Sequence, residues 1–316
     1  MADSHERFLL EQLNPNYGYF LRVGKRIVQS ATEFQSLEVF ETPMFGRLLR
    51  LDGVFQTSER DEFFYHENIA HVPAIAHPRP RSALVVGGGD GGTVEELLKH
   101  ACMEKVVMAE LDGGVVEAAK EYLGEIHRGV FSDPRLDVRI MDGKAYIEQT
   151  SDRYDQVILD LTDPFGPSLA LYTHEFYAAC KQTLNPGGVL SLHVESPISR
   201  PNTFNRIIKT LESVFRVVCP YLVYVPLYGT WWAMAVASDD VDPLALSEGE
   251  VDRRIAERAL SDLQYYNGAT HKAVFAMPNF VREVLKQPAE IIHVGSPALE
   301  DEIALNLDHS LGVCRA

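Results

Sequence analysis

Between residues 82 and 215 short apolar runs, each closing near a glycine or an acidic residue, alternate with amphipathic stretches. The runs are SALVVGG, KVVMAELD, LDVRIMD, YDQVILDLTD and GGVLSLHVE; the helical stretches lie near 93–100, 114–123, 143–150, 173–184 and 203–215. A short apolar run followed by a 3.6-residue pattern marks a βαβ unit. Repeated along the chain, that unit implies a mostly parallel sheet, because parallel strands need crossovers and the crossover helices cover both faces. Ligands of such a sheet sit outside the carboxyl ends of its strands, so the residues that close the runs are the first place to look for a site. Two later β segments, VVCPYLVYV and WWAMAVAS, read as a hairpin that closes the sheet.

Upstream the texture differs. From about 16 to 58 the segments YGYFLRV, RIVQSAT, QSLEVFET and GRLLRLDGVFQT read as short strands, with Asp52-Gly53 as a hairpin turn, and predict a small antiparallel domain. Residues 59–76 carry helical spacing and stop before Pro78 and Pro80. With 316 residues, a main α/β domain and a smaller partner are expected: a β-strand domain over 1–58, a catalytic domain over 59–285 and a tail over 286–316. From about 240 the chain is charged and helical (EGEVDRRIAERALSDLQ, PNFVREVLKQ), and past 295 it offers no clear pattern.

Composition narrows the chemistry. Lys and Arg number 29 against 45 Asp and Glu, a net charge of −16, with no basic stretch able to follow a phosphate backbone. Nucleic acid is therefore not an expected partner, and the acidic surface favours a cationic one, weakly. The four cysteines lie far apart without a CxxC pair, which points to reduced thiols and to no metal site. No stretch approaches 18 consecutive apolar residues and the N-terminus lacks a signal-like pattern, so no membrane is expected and the cytoplasm is the expected location.

After the first run comes Gly87-Gly88-Gly89-Asp90-Gly91-Gly92, a G-x-G-x-x-G turn that opens a helix. Glu110 closes the next run, placed to accept from ribose hydroxyls; together they argue for a nucleoside. NAD enzymes and S-adenosylmethionine enzymes share this logic. The third run ends in Asp142-Gly143, where a carboxylate could accept from an adenine amino group. Asp90 sits where a dinucleotide would place its pyrophosphate. An anion there repels phosphate or a carboxylate and attracts an ammonium, as in decarboxylated S-adenosylmethionine. The plainer alternative is that Asp90 caps the following helix. The fourth run ends in Asp160, Leu161, Thr162, Asp163, Pro164, Phe165, Gly166 and Pro167. Two carboxylates at the mouth of the site suit a polyamine, and one can take the proton that an attacking nitrogen must lose. Asp163-Pro164 is also an ordinary turn starter.

GGGDGG, the DLTDPFGP loop, LDGVFQTSERDEFFYHE and YYN…HKAVFAMPNF, in this order, resemble the spermidine synthase family of polyamine aminopropyltransferases over about 15–282. The resemblance implies a Rossmann-like, methyltransferase-type α/β fold with a small N-terminal antiparallel β domain. It implies transfer of the aminopropyl group of decarboxylated S-adenosylmethionine, a co-substrate and not a cofactor, to putrescine, giving spermidine and methylthioadenosine. Asp160 would be the general base with Tyr65 beside the attacking nitrogen. Gln35, Asp90, Glu110, Asp142, Gly143 and Pro167 would hold the donor; His66, Asp163, Glu195 and Tyr228 would hold the acceptor. A homodimer or homotetramer is also implied. Tyr65 and Tyr228 would otherwise be core aromatics, His66 a helix histidine, and Glu195 a solvated strand end.

Some positions depart from the family pattern. Ser168-Leu169-Ala170 stands where a lid glutamate is usual, Glu95 and Glu96 stand where an arginine is common, and His193 replaces a typical glutamine. Trp231-Trp232 looks like the thermospermine synthase branch and Glu195-Ser196-Pro197 like spermidine synthase. Agmatine, cadaverine and spermidine thus stay open as acceptors. A diamine N-methyltransferase, an NAD-dependent dehydrogenase and a catalytically silent homologue are the rival readings.

Overall fold

The computed structural model describes residues 7–297. Its N-terminal part is antiparallel throughout. Strands β1 (Arg7–Asn14) and β2 (Tyr17–Val23) form a two-stranded ribbon, and β3 (Arg26–Ala31), β4 (Ser36–Thr42), β5 (Gly46–Leu51) and β6 (Val54–Ser58) a four-stranded meander. Asp52 and Gly53, at φ 47° and 81°, make the left-handed two-residue turn that matches the twist of β5 and β6. Strand β1 lies inside the expected 1–58 domain but before residue 16, where its strand segments are expected to begin. Its inward positions mix Leu9 and Leu13 with buried Glu11 while Phe8 and Leu10 are exposed, so the alternation of apolar and polar residues is blurred and hides the strand.

The second part holds a seven-stranded sheet in the order β12-β13-β11-β10-β7-β8-β9. The strands are β7 (Ser82–Gly87), β8 (Lys105–Glu110), β9 (Leu136–Ile140), β10 (Tyr154–Asp160), β11 (Leu184–His193), β12 (Val217–Val225) and β13 (Thr230–Ser238). Strands β7 to β11 run parallel, and the predicted hairpin β12–β13 joins antiparallel to β11. The runs after β7 build outward on one side and then return to its other side at β10. This reversal opens a crevice between the carboxyl ends of β7 and β10, where Gly87 pairs with Asp160.

The helices are α1 (Glu62–Ala76), α2 (Gly92–Leu98), α3 (Gly113–Tyr122), α4 (Gly124–His127), α5 (Gly143–Gln149), α6 (His174–Gln182), α7 (Pro201–Glu212), α8 (Glu248–Glu257), α9 (Gly268–Val274) and α10 (Asn279–Lys286). Alternate residues of each strand serve opposite layers. Leu84 and Val86 pack with α5, α6, α7 and α10, whereas Ala83 and Val85 pack with α1, α2, α8 and α9. Helix α3 joins the two parts, placing Val115 and Ala119 against Leu37, Val39 and Leu49 of the meander.

Residues after α10 do not trail away. The Ile292 amide donates to Thr210 Oγ1 (3.0 Å), its carbonyl accepts from the His174 amide (2.8 Å), and its side chain is fully buried against α6 and α7. The rest of the tail, 298–316, lies outside the described residues. Ile292→Ala is expected to cost about 2–4 kcal/mol in denaturant unfolding, as for a cavity left in a packed core. Unchanged stability would mean that the segment is not part of this core.

Candidate active site

The glycine turn is squeezed between neighbouring strand ends. Gly87, at φ 81°, lies so close to β10 that an added Cβ would sit 2.2 Å from the Asp160 carbonyl. At Gly92 a Cβ would sit 2.3 Å from the His66 ring, so α1 and α2 approach as closely as they do only without a side chain there. Asp90 performs two tasks. Its Oδ1 accepts from the Gly92 amide (2.8 Å), the capping alternative, while Oδ2 lies 3.6 Å from His66 Nε2. His66 Nδ1 meets Glu62 at 2.8 Å, and Arg128 reaches the other Glu62 oxygen at 3.2 Å. Burial opposes charge on both Asp90 and His66, yet each favours the other's charge: Asp90 is held below its ordinary range and His66 well above its own.

Asp160 closes β10 facing this turn. Tyr65 of α1 donates to its Oδ1 (3.0 Å) and Thr93 of α2 to its Oδ2 (2.7 Å). Burial, and then the nearby Asp90 charge, raise its carboxyl above the usual range despite those two hydroxyls. Burial also pushes the Tyr65 phenol well up, so it stays a neutral donor. Thr93 was missed by sequence reasoning, although it directly follows the glycine motif.

Glu110 ends β8 on the other flank of the turn. One oxygen accepts from the Asp112 amide (2.8 Å), and burial raises its carboxyl to about 7. Gln35, from the loop before β4, donates to Asp112 Oδ2 (2.9 Å), so the small domain reaches this flank through a residue that itself caps α3. Asp142 caps α5, accepting from the Lys144 amide (2.8 Å), and Gly143 begins that helix. Pro167 lies in the segment after Asp163, where Thr162 and Ser168 are joined by their hydroxyls (2.9 Å). Glu110, Gln35, Asp142, Gly143 and Pro167 border one cavity together with Asp90 and Asp160.

The opposite flank is aromatic and acidic. The Tyr228 hydroxyl donates to the Gln56 carbonyl (2.8 Å), and its ring lies between Tyr65 (6.2 Å) and Trp232 (5.1 Å). His193 meets the Tyr172 hydroxyl (2.8 Å) and the Leu161 carbonyl (2.9 Å), and burial lowers its ring below the ordinary range. Two carboxylates here were not found from sequence. Asp61 accepts from the Leu227 amide (2.7 Å) and from Ser58. Glu11, on β1, accepts from the Phe55 amide (3.1 Å), and burial raises it to about 8. Asp163 borders the same space. Glu195 is the exception among the predicted residues: it is fully buried, stands outside the cavity wall, and has the Arg200 guanidinium 3.8 Å away.

The cavity encloses about 540 Å³. Among the described residues ten carboxylates border it, against one arginine and no lysine. Such a wall attracts small polycations and repels phosphates. Among the described residues no group of three or more His, Cys, Asp or Glu could hold a metal ion.

A family model described as the spermine/spermidine synthase domain matches residues 62–245, and one described as the spermidine synthase tetramerisation domain matches 9–59. The chain belongs to the spermidine synthase family. It is 51% identical over 303 residues to a polyamine aminopropyltransferase of Nitrosomonas europaea, covering 96% of this chain and 92% of that one. Against the corresponding Bacillus subtilis protein the identity is 37%, covering 89% and 99%. The crystal structure of a spermidine synthase with the transition-state analogue AdoDATO superposes with a TM-score of 0.83 at 36% identity, covering 90% of this chain and 98% of that one. The spermidine synthase of Thermotoga maritima gives 0.81 at 35%, covering 90% and 97%. As a member of the spermidine synthase family, the chain is a transferase.

The raised Glu110 sets a pH dependence. Its native value of about 7 exceeds its ordinary 4.5, so the folded state holds the proton more tightly. Its contribution to stability is full below about 4.5 and lost as pH rises through about 7. The melting temperature of the ligand-free protein is expected to fall across this window, and less so in Glu110→Gln; parallel curves for the two proteins would contradict this account of Glu110.

Proposed function

We propose that the enzyme moves the aminopropyl group of decarboxylated S-adenosylmethionine to putrescine, giving spermidine and methylthioadenosine. The observation that carries the reading is Asp160, a half-buried carboxylate hydrogen-bonded by two neutral hydroxyls and close enough to Asp90 to feel its charge. In this reading the putrescine ammonium enters beside Asp160 and gives up a proton to it. The freed nitrogen attacks the propyl carbon in line with sulfur; the C–N bond forms, the C–S bond breaks, and its electrons neutralise the sulfonium. A carboxylate made more basic by burial suits that proton transfer. The remainder of the rate comes from alignment, and the sulfonium already supplies the leaving group, so no resident cofactor is required.

The other residues take tasks that fit their positions. Asp90 would hold the donor's ammonium, Glu110 and Gln35 the ribose side, and Asp142, Gly143 and Pro167 the adenine side. Tyr65, Tyr228, His66 and Asp163 would surround the acceptor. Glu11 would meet the distal ammonium in place of Glu195, because it borders the cavity and Glu195 does not. The three cysteines of the described residues are free, in keeping with a reducing cytoplasmic setting. Self-association would use the β1–β2 ribbon, where Phe8 (44% exposed) and Phe20 (70% exposed) stack edge to face within the segment matched to the tetramerisation domain.

Incubation with decarboxylated S-adenosylmethionine and, in turn, putrescine, cadaverine, agmatine or spermidine, followed by mass analysis, is expected to give spermidine fastest. Product from intact S-adenosylmethionine instead would support a methyltransferase. Asp160→Asn is expected to lower kcat about 10²–10⁴-fold while methylthioadenosine binding stays nearly intact; wild-type turnover would remove Asp160 from the mechanism. Phe20→Glu is expected to shift the light-scattering mass towards smaller species, and an unchanged mass would move the interface elsewhere.

A further inference from the structure

Arg200, the N-cap residue of α7, has no task in the chemistry above, yet among the described residues it is the one arginine on a wall that carries ten carboxylates. It is 4% exposed. Its guanidinium lies 4.0 Å from the centre of the Phe165 ring, and its Nε donates to the Leu13 carbonyl at 2.9 Å. The Glu195 carboxylate stands 3.8 Å away, and Nη1 finds no hydrogen-bond acceptor among the described residues. Burying a guanidinium with an N–H left over costs stability. A packing role alone therefore explains it poorly.

Its neighbours suggest another role. Phe165 follows Asp163 by two residues in the segment that covers the cavity. Leu13 follows Glu11 by two residues on β1, so both side chains face inward. The turn before α7 grips the same strand again, where Asn14 donates to the Ser199 carbonyl at 3.0 Å. One planar cation thus touches both segments that carry the carboxylates of the acceptor side. A guanidinium suits this, since its face stacks on an aromatic ring while its edge donates to a carbonyl.

We propose that Arg200 is a positioning residue that clamps the 162–168 lid to strand β1, setting Asp163 and Glu11 at the spacing the acceptor diamine needs. This inference rests on the aminopropyltransferase reading. The clamp acts on acceptor binding and leaves the donor half alone, because Gln35, Glu110 and Asp142 are held by contacts of their own.

The test is steady-state kinetics of the full chain, varying putrescine and decarboxylated S-adenosylmethionine separately. Arg200→Met is expected to raise the putrescine KM about tenfold, with kcat and the donor KM within about twofold, and Arg200→Lys to recover part of the loss. Phe165→Ala, at a half-buried lid position, is expected to match Arg200→Met, and the double variant to be no worse than either single one. An unchanged putrescine KM in the single variants, or effects that multiply to about a hundredfold, would overturn the clamp. Wild-type enzyme that turned over none of the four amines would instead sink the aminopropyltransferase reading. The clamp is then judged by amide exchange of 163–168: slower exchange in wild type than in Phe165→Ala supports it, and equal exchange refutes it.

Discussion

The site depends on keeping several carboxylates ionisable where burial opposes their charge. Each of them would be costly there without a partner. The partners used next to the reacting position are neutral: Tyr65 and Thr93 for Asp160, and backbone amides for Glu110, Glu11 and the capping oxygen of Asp90. A lysine or arginine in those places would fill the space beside these carboxylates, which in the proposed reading an amine substrate enters. Burial raises the carboxyls of Asp160, Glu110 and Glu11, and a cation brought beside them would favour their charged form.

Asp90 shows how one anion is kept charged in that setting. The chain Arg128, Glu62, His66, Asp90 runs from a half-exposed guanidinium inward, alternating in sign. Because His66 is wedged under Gly92, the same contact that lets α1 and α2 approach also sets the charge beneath the glycine turn. His66, expected from the sequence to face the acceptor, is thus fastened first to the carboxylate of the glycine turn. The two halves of the cavity are electrostatically joined through this pair.

The crevice itself follows from topology. Reversal of strand order between β9 and β10 leaves the carboxyl ends of β7 and β10 uncovered, and the glycine turn fills that gap. The N-terminal strands then roof the crevice, supplying Gln35 on one flank and Glu11 on the other. Their contribution shows why a small domain with little core of its own belongs to the working site.

From the amino-acid order alone came the parallel sheet, the glycine turn, the strand-end carboxylates Glu110 and Asp160, and the family. These are local signals, written in periodicity and in motifs a few residues long. Tertiary structure alone decided which carboxylates share the cavity. Glu11, within β1, and Glu195, just past the end of β11, are both isolated acidic residues in the sequence, yet one borders the cavity and the other is buried outside its wall beside Arg200. The difference arises from contacts between residues 187 positions apart, Leu13 and Arg200, which no short-range pattern encodes.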